Sequence, residues 1–255
     1  MTGINPLLAE YSWREGFIMS LLHIGYFSQS LVKQSGMFVA MPDIDPPFRT
    51  VYLLHGLSDD YTIWQRRTSI ERYADRLGLM VVMPDGGRSF YCDLPYGKYE
   101  GHILETVRFI DHTFRTVDAP GGRGIGGLSM GGFGAMKLGL KYPELFGSVA
   151  THSSALDAKR LHTSEDLRGI FPAPLGPEDD PFALAARAGV KPAIRFDCGA
   201  DDFLIEENRR FHAHLQALGV PHTYAEYPGA HSWEYWDEHI VEALAFHVEQ
   251  MTGER

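Results

Sequence analysis

Residues 126–132, with the sequence Gly-Gly-Leu-Ser-Met-Gly-Gly, constrain the fold of this 255-residue chain more than any other stretch. They contain the pattern Gly127-x-Ser129-x-Gly131, in which a serine lies at a tight turn between a strand and a helix. The turn holds the serine at positive φ and crowds its neighbours, so glycine is needed two positions before and two positions after it. Because three fixed residues also recur by chance in glycine-rich loops, the surrounding sequence decides what this turn does.

Apolar runs and helical spacing alternate on both sides of the turn. Strand-like runs occupy residues 50–54, 79–83, 124–128, 148–151, 193–198 and 224–227. Helical spacing occupies residues 68–77, 102–114, 130–142, 208–218 and the segment from 233 onward. Strands that alternate with helices form parallel sheets, so the pattern predicts an α/β fold: a mainly parallel, doubly wound sheet with helices on both faces.

Two segments depart from this alternation. Residues 17–27 and 37–41 are short apolar runs close together in the chain, which predicts an antiparallel pair at the N-terminal edge of the sheet. Residues 155–190 contain several prolines and short helical pieces, which indicates a short cap segment inserted above the sheet. The chain shows no internal repeat or linker, so residues 1–255 are expected to form a single domain.

Composition excludes several classes of protein. A net charge of −10 argues against a nucleic-acid partner or an anionic membrane surface. Cys92 and Cys198 are the only cysteines, and both are expected to be structural residues without a disulfide. Residues 1–11 lack a leader pattern and no apolar run could span a membrane, so we expect a cytoplasmic protein, although removal of a leader would leave the same pattern. No metal or other cofactor is expected, and a homo-oligomer is left open.

The side chains able to carry chemistry follow the predicted strands. His55, Ser129, Asp202 and His231 each come just after such a run. The carboxyl ends of parallel strands meet at one edge of a sheet, where ligands bind. A serine hydroxyl needs an imidazole as its base, and a carboxylate must orient that imidazole. The chain order Ser129, Asp202, His231 is the order of α/β-hydrolase triads.

Each triad position has competitors. For Ser129 the alternative is a phosphate-binding turn, but the expected lysine is absent and Ser129 stands where a third glycine should be. For the acid, Asp197 falls inside a strand and Asp201 shares the turn with Asp202. Asp202, three residues past Gly199, is preferred, with a helix N-cap as its alternative role.

Twelve histidines compete for the role of base. His231 lies in a glycine-bearing loop after the last strand and is preferred. His152, which follows a strand, is the rival. His212, His214, His239 and His247 are assigned to amphipathic helices, at solvated or core-edge positions. His23 is assigned to the first strand pair, and His102 and His112 are assigned to a helix or its ends.

A tetrahedral oxyanion needs two hydrogen-bond donors fixed in advance. The backbone N–H of Met130, at the start of the helix after the turn, is one candidate. The Leu57 N–H, just after His55-Gly56, is the other. The alternative for His55-Gly56 is an ordinary strand-ending turn.

With these residues placed, the chain resembles the Putative esterase branch of the α/β-hydrolases, which includes esterase D, tributyrin esterases, S-formylglutathione hydrolases, feruloyl and acetyl-xylan esterases and mycolyltransferases. The shared motifs follow the family's order. They are residues 53–56 with Trp64, 84–86 with 89–91, 127–132, 198–204 with Asn208, and 228–233. The resemblance implies Ser129, Asp202 and His231 as triad, Leu57 and Met130 as oxyanion donors, and a compact acyl pocket.

These observations predict a serine carboxylesterase that hydrolyses small soluble acyl esters through an acyl-enzyme. Acyl transfer and thioester hydrolysis use the same triad and are the alternatives, although residues 89–101 lack the tryptophan-rich stretch associated with S-formylglutathione hydrolases. A binding module that has lost the chemistry is a third hypothesis. Trp64, Phe90, Tyr91 and Trp233 either line the substrate pocket or belong to the core.

Overall fold

In the computed structural model, which describes residues 19–167 and 169–253, one eight-stranded sheet runs through the molecule. Its eight strands are β1 (Ser20–Ser28), β2 (Lys33–Met41), β3 (Arg49–Leu54), β4 (Leu79–Pro84), β7 (Arg123–Leu128), β8 (Ser148–His152), β9 (Ala193–Gly199) and β10 (Thr223–Tyr227). A separate two-stranded hairpin consists of β5 (Asp93–Leu94) and β6 (Gly97–Lys98). The helices are α1 (Ile63–Arg67), α2 (Ile70–Leu77), α3 (Tyr99–Thr113), α4 (Met130–Lys141), α5 (Ala158–Thr163), α6 (Pro181–Ala185), α7 (Ile205–Ala217) and α8 (Trp233–Thr252). Short 3-10 turns occupy Pro120–Gly122 and Glu165–Leu167.

The strand order is β1-β2-β4-β3-β7-β8-β9-β10. β2 pairs antiparallel with β1 and with β4, and every later pair in the sheet is parallel. The predicted parallel sheet with an antiparallel N-terminal edge is therefore confirmed. β2 begins at Lys33, earlier than predicted, and the start of the first predicted run lies outside the described residues.

The sheet is covered on both faces, as the alternation of strands and helices predicts. Val51 and Leu53 of β3 pack in one apolar cluster with α2 and α8. Tyr52 and Leu54 of the same strand pack in the other cluster, with α3, α4 and α7. Because successive side chains of a strand point to opposite faces, one strand contributes to both cores.

Several elements differ from their predicted bounds. α1 and the β5–β6 hairpin are too short to show a periodic pattern, and the sequence does not predict them. α7 begins at Ile205 rather than at residue 208, and Glu207 in its first turn is buried in an ion pair with Arg160. The segment 155–190 contains short helical pieces as predicted, and its Phe171 and Leu184 join the larger apolar cluster.

Candidate active site

Ser129 is the single residue between β7 and α4. Its backbone adopts φ 53° and ψ −114°, a conformation that L-residues rarely occupy. A Cβ on Gly127 would lie 2.6 Å from the carbonyl carbon of Gly131, and one on Gly131 would lie 2.3 Å from the Leu54 carbonyl oxygen. Neither position has room for a side chain, which is the steric demand that the sequence pattern predicts.

Ser129, His231 and Asp202 form a continuous hydrogen-bonded chain at the carboxyl edge of the sheet. His231 Nε2 lies 3.0 Å from Ser129 Oγ, and His231 Nδ1 lies 2.8 Å from Asp202 Oδ2. The Leu204 N–H donates to Asp202 Oδ1 at 2.8 Å, so both carboxylate oxygens are held. An ionised carboxylate beside Nδ1 keeps the proton there and leaves Nε2 free to accept from the serine hydroxyl.

The electrostatics of Asp202 fit this arrangement. Burial acts to raise the pKa of this carboxyl, but the hydrogen bond and charge of His231 outweigh it, so the pKa lies below its ordinary value. Asp202 is therefore ionised at neutral pH.

The competing residues lie elsewhere. Asp197 is buried against His152, whose Nδ1 lies 2.9 Å away, and Asp201 is exposed. The His152 carbonyl accepts from the Ser129 N–H at 3.0 Å, which ties β8 to the turn through the backbone. The His152 Nε2 atom is buried without a hydrogen-bond partner among the described residues.

His55 holds the peptide group that carries one predicted oxyanion donor. The Gly86 N–H donates to His55 Nε2 at 2.8 Å, so the ring proton is on Nδ1, which donates to the Gly56 carbonyl at 2.8 Å. That carbonyl and the Leu57 N–H belong to the same planar peptide. His55 therefore orients the Leu57 amide, a function beyond that of an ordinary strand-ending turn.

The two predicted donors belong to segments that lie next to the serine turn. Met130 is the first residue of α4, so its N–H has no acceptor within the helix. Leu54 pairs with Gly127, which brings the loop after β3 beside the turn, and a Cβ on Gly56 would lie 2.8 Å from the Leu128 side chain.

Of the two roles left open for the four aromatic residues, core packing fits the burial of Trp64, Phe90 and Tyr91. Trp64 has no exposed surface and donates from Nε1 to the Leu54 carbonyl at 3.1 Å. Tyr91 is also fully buried and donates to the His55 carbonyl, and Phe90 is enclosed by aromatic rings. Trp233 alone of the four is half-buried, with its ring against Trp64.

Three residues near His231 were not predicted. Phe203 is 71% exposed and its ring centroid lies 4.5 Å from that of His231. The Trp236 ring meets His231 edge-on at 4.9 Å, and its Nε1 donates to Ser153 Oγ at 3.1 Å. Ser153, at φ 47°, also hydrogen-bonds Asp202. In the sequence, the one signal that could have identified any of them is the position of Phe203 directly after Asp202.

Gly132 and Gly134 of α4 contact residues outside the sheet. A Cβ on Gly132 would lie 2.2 Å from Ser154 Oγ, and one on Gly134 would lie 2.3 Å from the Tyr91 ring. Gly139 provides the close contact with the sheet, since a Cβ there would lie 2.1 Å from Val149.

Buried charge anchors the same helix. Lys137 has no exposed surface, and its Nζ donates to the Tyr91 carbonyl and to Glu100, each at 2.7 Å. Asp179 of the inserted segment lies 3.4 Å from the same nitrogen. α4 is thereby joined to the loop that carries Tyr91 and to the inserted segment.

A cleft of about 470 Å³ lies at the opposite end of β7, which begins at Arg123. It is lined by Leu104, Val107, Arg108, Asp111, Asp118, Tyr142, Glu144 and Leu145. This lining contains no serine, cysteine or histidine, so the candidate active site is the one at Ser129.

Three comparisons agree with this geometry. A family model described as Putative esterase matches residues 28–247. The acetyl esterase of Caldicellulosiruptor saccharolyticus is 30% identical, over 89% of this chain and 97% of that protein. Among solved structures, the fluorophosphonate-binding serine hydrolase FphF of Staphylococcus aureus is 31% identical with a TM-score of 0.84, over 90% of this chain and 98% of that one.

A second solved structure is the S-formylglutathione hydrolase FrmB of Staphylococcus aureus. It is 30% identical with a TM-score of 0.80, over 90% of this chain and 99% of that one. Together these matches extend over most of the sheet and all of the residues around Ser129. The chain belongs to the Putative esterase family and has the α/β-hydrolase fold of its serine hydrolases.

Proposed function

We propose that this serine esterase hydrolyses small acyl esters through an acyl-enzyme formed on Ser129. The contact chain from Ser129 Oγ through His231 to Asp202 is the observation that carries the proposal. It joins a nucleophile, a base and an orienting acid from three separate turns and loops of the chain.

In the first half of the reaction, Ser129 Oγ attacks the ester carbonyl and its proton passes to His231 Nε2. Asp202 stabilises the imidazolium that forms. The Met130 and Leu57 amides donate to the oxyanion, each contributing about 2.7–4 kcal/mol to the barrier reduction by the usual mutational scale. The bond from carbon to the alcohol oxygen then breaks, and His231 returns its proton to that oxygen.

In the second half, water takes the place of the departed alcohol. His231 Nε2 accepts a proton from this water as its oxygen attacks the acyl carbon. The second tetrahedral intermediate uses the same two amides. When it collapses, the bond to Ser129 Oγ breaks, the serine recovers its proton from His231, and the acid leaves.

Thioester hydrolysis is a second candidate, favoured by the 30% identity to the S-formylglutathione hydrolase structure. Acyl transfer would follow if an acceptor alcohol replaced water in the second half-reaction. Both share the acyl-enzyme, so product analysis with a thioester, and with and without an added alcohol, distinguishes them from ester hydrolysis.

Other predictions from the sequence accompany this proposal. A single domain, a cap formed by residues 155–190, a cytoplasmic location and the absence of a cofactor stay predictions. Within the ranges that the structure describes, no helix is long and apolar enough to cross a membrane.

The test is replacement of the nucleophile. Ser129→Ala removes the attacking oxygen, so we expect ester turnover to fall by about 10⁶-fold while the protein stays folded. The matched control is Ser164→Ala, which changes a half-buried serine in the inserted segment and should keep full activity. Turnover measured with short-chain nitrophenyl esters, together with a thermal melt, decides between these results. Unchanged hydrolysis in Ser129→Ala would refute the assignment.

A further inference from the structure

Phe203 is a large aromatic residue at the surface, directly on the proposed base. It lies in the turn after β9, next to Asp202, and 71% of its surface is exposed. Its ring centroid is 4.5 Å from that of His231, with 49° between the ring planes. A phenyl ring gains little from packing when most of its area faces water, so core burial does not account for this position.

His231 contacts two aromatic rings that differ greatly in exposure. The Trp236 ring lies edge-on at 4.9 Å, is buried, and is held by its hydrogen bond to Ser153. Phe203 also contacts His231 but leaves most of its own surface exposed. Of these two rings, only Phe203 therefore offers an accessible aromatic surface beside the imidazole.

The chemistry requires the alcohol part of the ester to lie beside His231. His231 Nε2 must give its proton to the alcohol oxygen, which brings that oxygen within about 3 Å of the ring. The carbonyl oxygen points instead toward the Met130 and Leu57 amides. The group attached to the alcohol oxygen then extends away from the oxyanion donors and past His231, where the exposed surface is aromatic.

We infer that Phe203 forms the wall of an alcohol-side subsite, which favours esters whose alcohol carries an apolar or aromatic group. This rests on the proposed function, because it assigns the direction of proton transfer by His231. Aromatic rings gain from offset or edge contacts with one another beyond the area they bury. The preference is thus for a flat apolar alcohol group, such as benzyl, over a short alkyl group.

The alternative role for Phe203 is to shield the bond between Asp202 and His231 from water. Shielding would affect every substrate equally, because each half-reaction uses the same imidazole. A subsite would affect only the acylation step, and only in proportion to the alcohol group. The ratio of kcat/KM values for two esters with one acyl group separates the two roles.

The experiment compares benzyl acetate with ethyl acetate, which have the same acyl group and alcohols of similar acidity. kcat/KM reports acylation, and deacylation is common to both esters. In Phe203→Ala, we expect the benzyl-to-ethyl ratio to fall by about tenfold, the size of an aromatic contact plus some apolar area. Phe203→Leu should give an intermediate ratio. The rates for ethyl acetate and ethyl butyrate should keep their proportion, because the acyl side is untouched.

The matched control is Phe27→Ala. Phe27 is 46% exposed on β1, which lies four strands from β7, about 19 Å at the usual strand spacing. The benzyl-to-ethyl ratio of kcat/KM in Phe27→Ala should equal that of the unsubstituted enzyme. An equal loss with both acetates in Phe203→Ala, or no loss at all, would overturn the inference. Absence of ester turnover in the unsubstituted enzyme would instead contradict the proposed function, and the inference with it.

Discussion

At the scale of single residues, the strained backbone of Ser129 and the tautomer of His55 decide what the site can do. Ser129 is held at φ 53° between two glycines that have no room for a Cβ, so its hydroxyl projects where β7 ends. Backbone strain of this kind costs about 1–3 kcal/mol and persists only where its surroundings impose it. Here the surroundings are Gly127, Gly131 and the Leu54 carbonyl.

We propose that His55 positions the Leu57 amide as an oxyanion donor, and two substitutions test this proposal. His55→Leu removes the bond from Nδ1 to the Gly56 carbonyl and leaves the Gly86 N–H buried without an acceptor. We expect kcat to fall by about 100-fold with little change in KM, since the oxyanion donor is misplaced rather than removed.

His55→Asn is the comparison, because its amide nitrogen can take the place of Nδ1 and donate to Gly56. It should recover part of kcat. Steady-state kinetics and a thermal melt of both variants measure this. If kcat falls as far in His55→Asn as in His55→Leu, the bond to the Gly56 carbonyl does not position the Leu57 N–H. The same conclusion would follow if both variants changed only KM, by raising it.

At the scale of elements, the strand ends around the site are predictable because they depend on local sequence. An apolar run predicts β7, and helical spacing predicts α4. The serine turn between them follows from the positive φ that its flanking glycines permit. The preference for Asp202 over Asp197 follows from spacing in the turn after β9. The observed contact of Asp202 with His231 agrees with that preference.

Burial of individual aromatic residues could not be predicted in the same way. Trp64 and Tyr91 lie in loops, and their burial depends on contacts with Leu54 and His55, which are distant in sequence. Phe203 also lies in a loop, yet it is exposed. Loop sequence alone does not distinguish these cases, because the neighbours that cover a side chain come from other segments.

At the scale of the whole molecule, buried neutral histidines couple the fold to pH. The sequence places His247 at a solvated or core-edge position, whereas the structure buries it against Ser148, with 2.7 Å between His247 Nδ1 and Ser148 Oγ. Burial lowers its pKa to about 3. His102, also fully buried, has its pKa lowered by burial to about 4. Both are neutral in the folded protein over a range where the unfolded chain takes up protons.

This predicts loss of stability on mild acidification. For a histidine with a folded pKa below the unfolded value of 6.5, the stabilising effect is present above pH 6.5 and is lost as pH falls toward the folded value. As pH falls across that window, each of these histidines should lower the free energy of unfolding by about 1.4 kcal/mol per pH unit.

Urea denaturation at several pH values between 7 and about 4 measures the effect. His247→Gln should flatten the dependence, since the side chain that gains a proton on unfolding is gone. His112→Gln, at an exposed histidine of α3, should leave the dependence as it is. Identical slopes in His247→Gln and the unsubstituted protein would show that His247 does not contribute.

The central claim is that Ser129 is the nucleophile activated by His231. Labelling with a fluorophosphonate, followed by peptide mapping, tests it most directly, because the probe reacts with an activated serine and marks the residue it modifies. We predict one labelled site in the folded protein, at Ser129, and loss of that label in heat-denatured protein and in Ser129→Ala. Labelling at a different serine, or none in folded protein, would contradict the account.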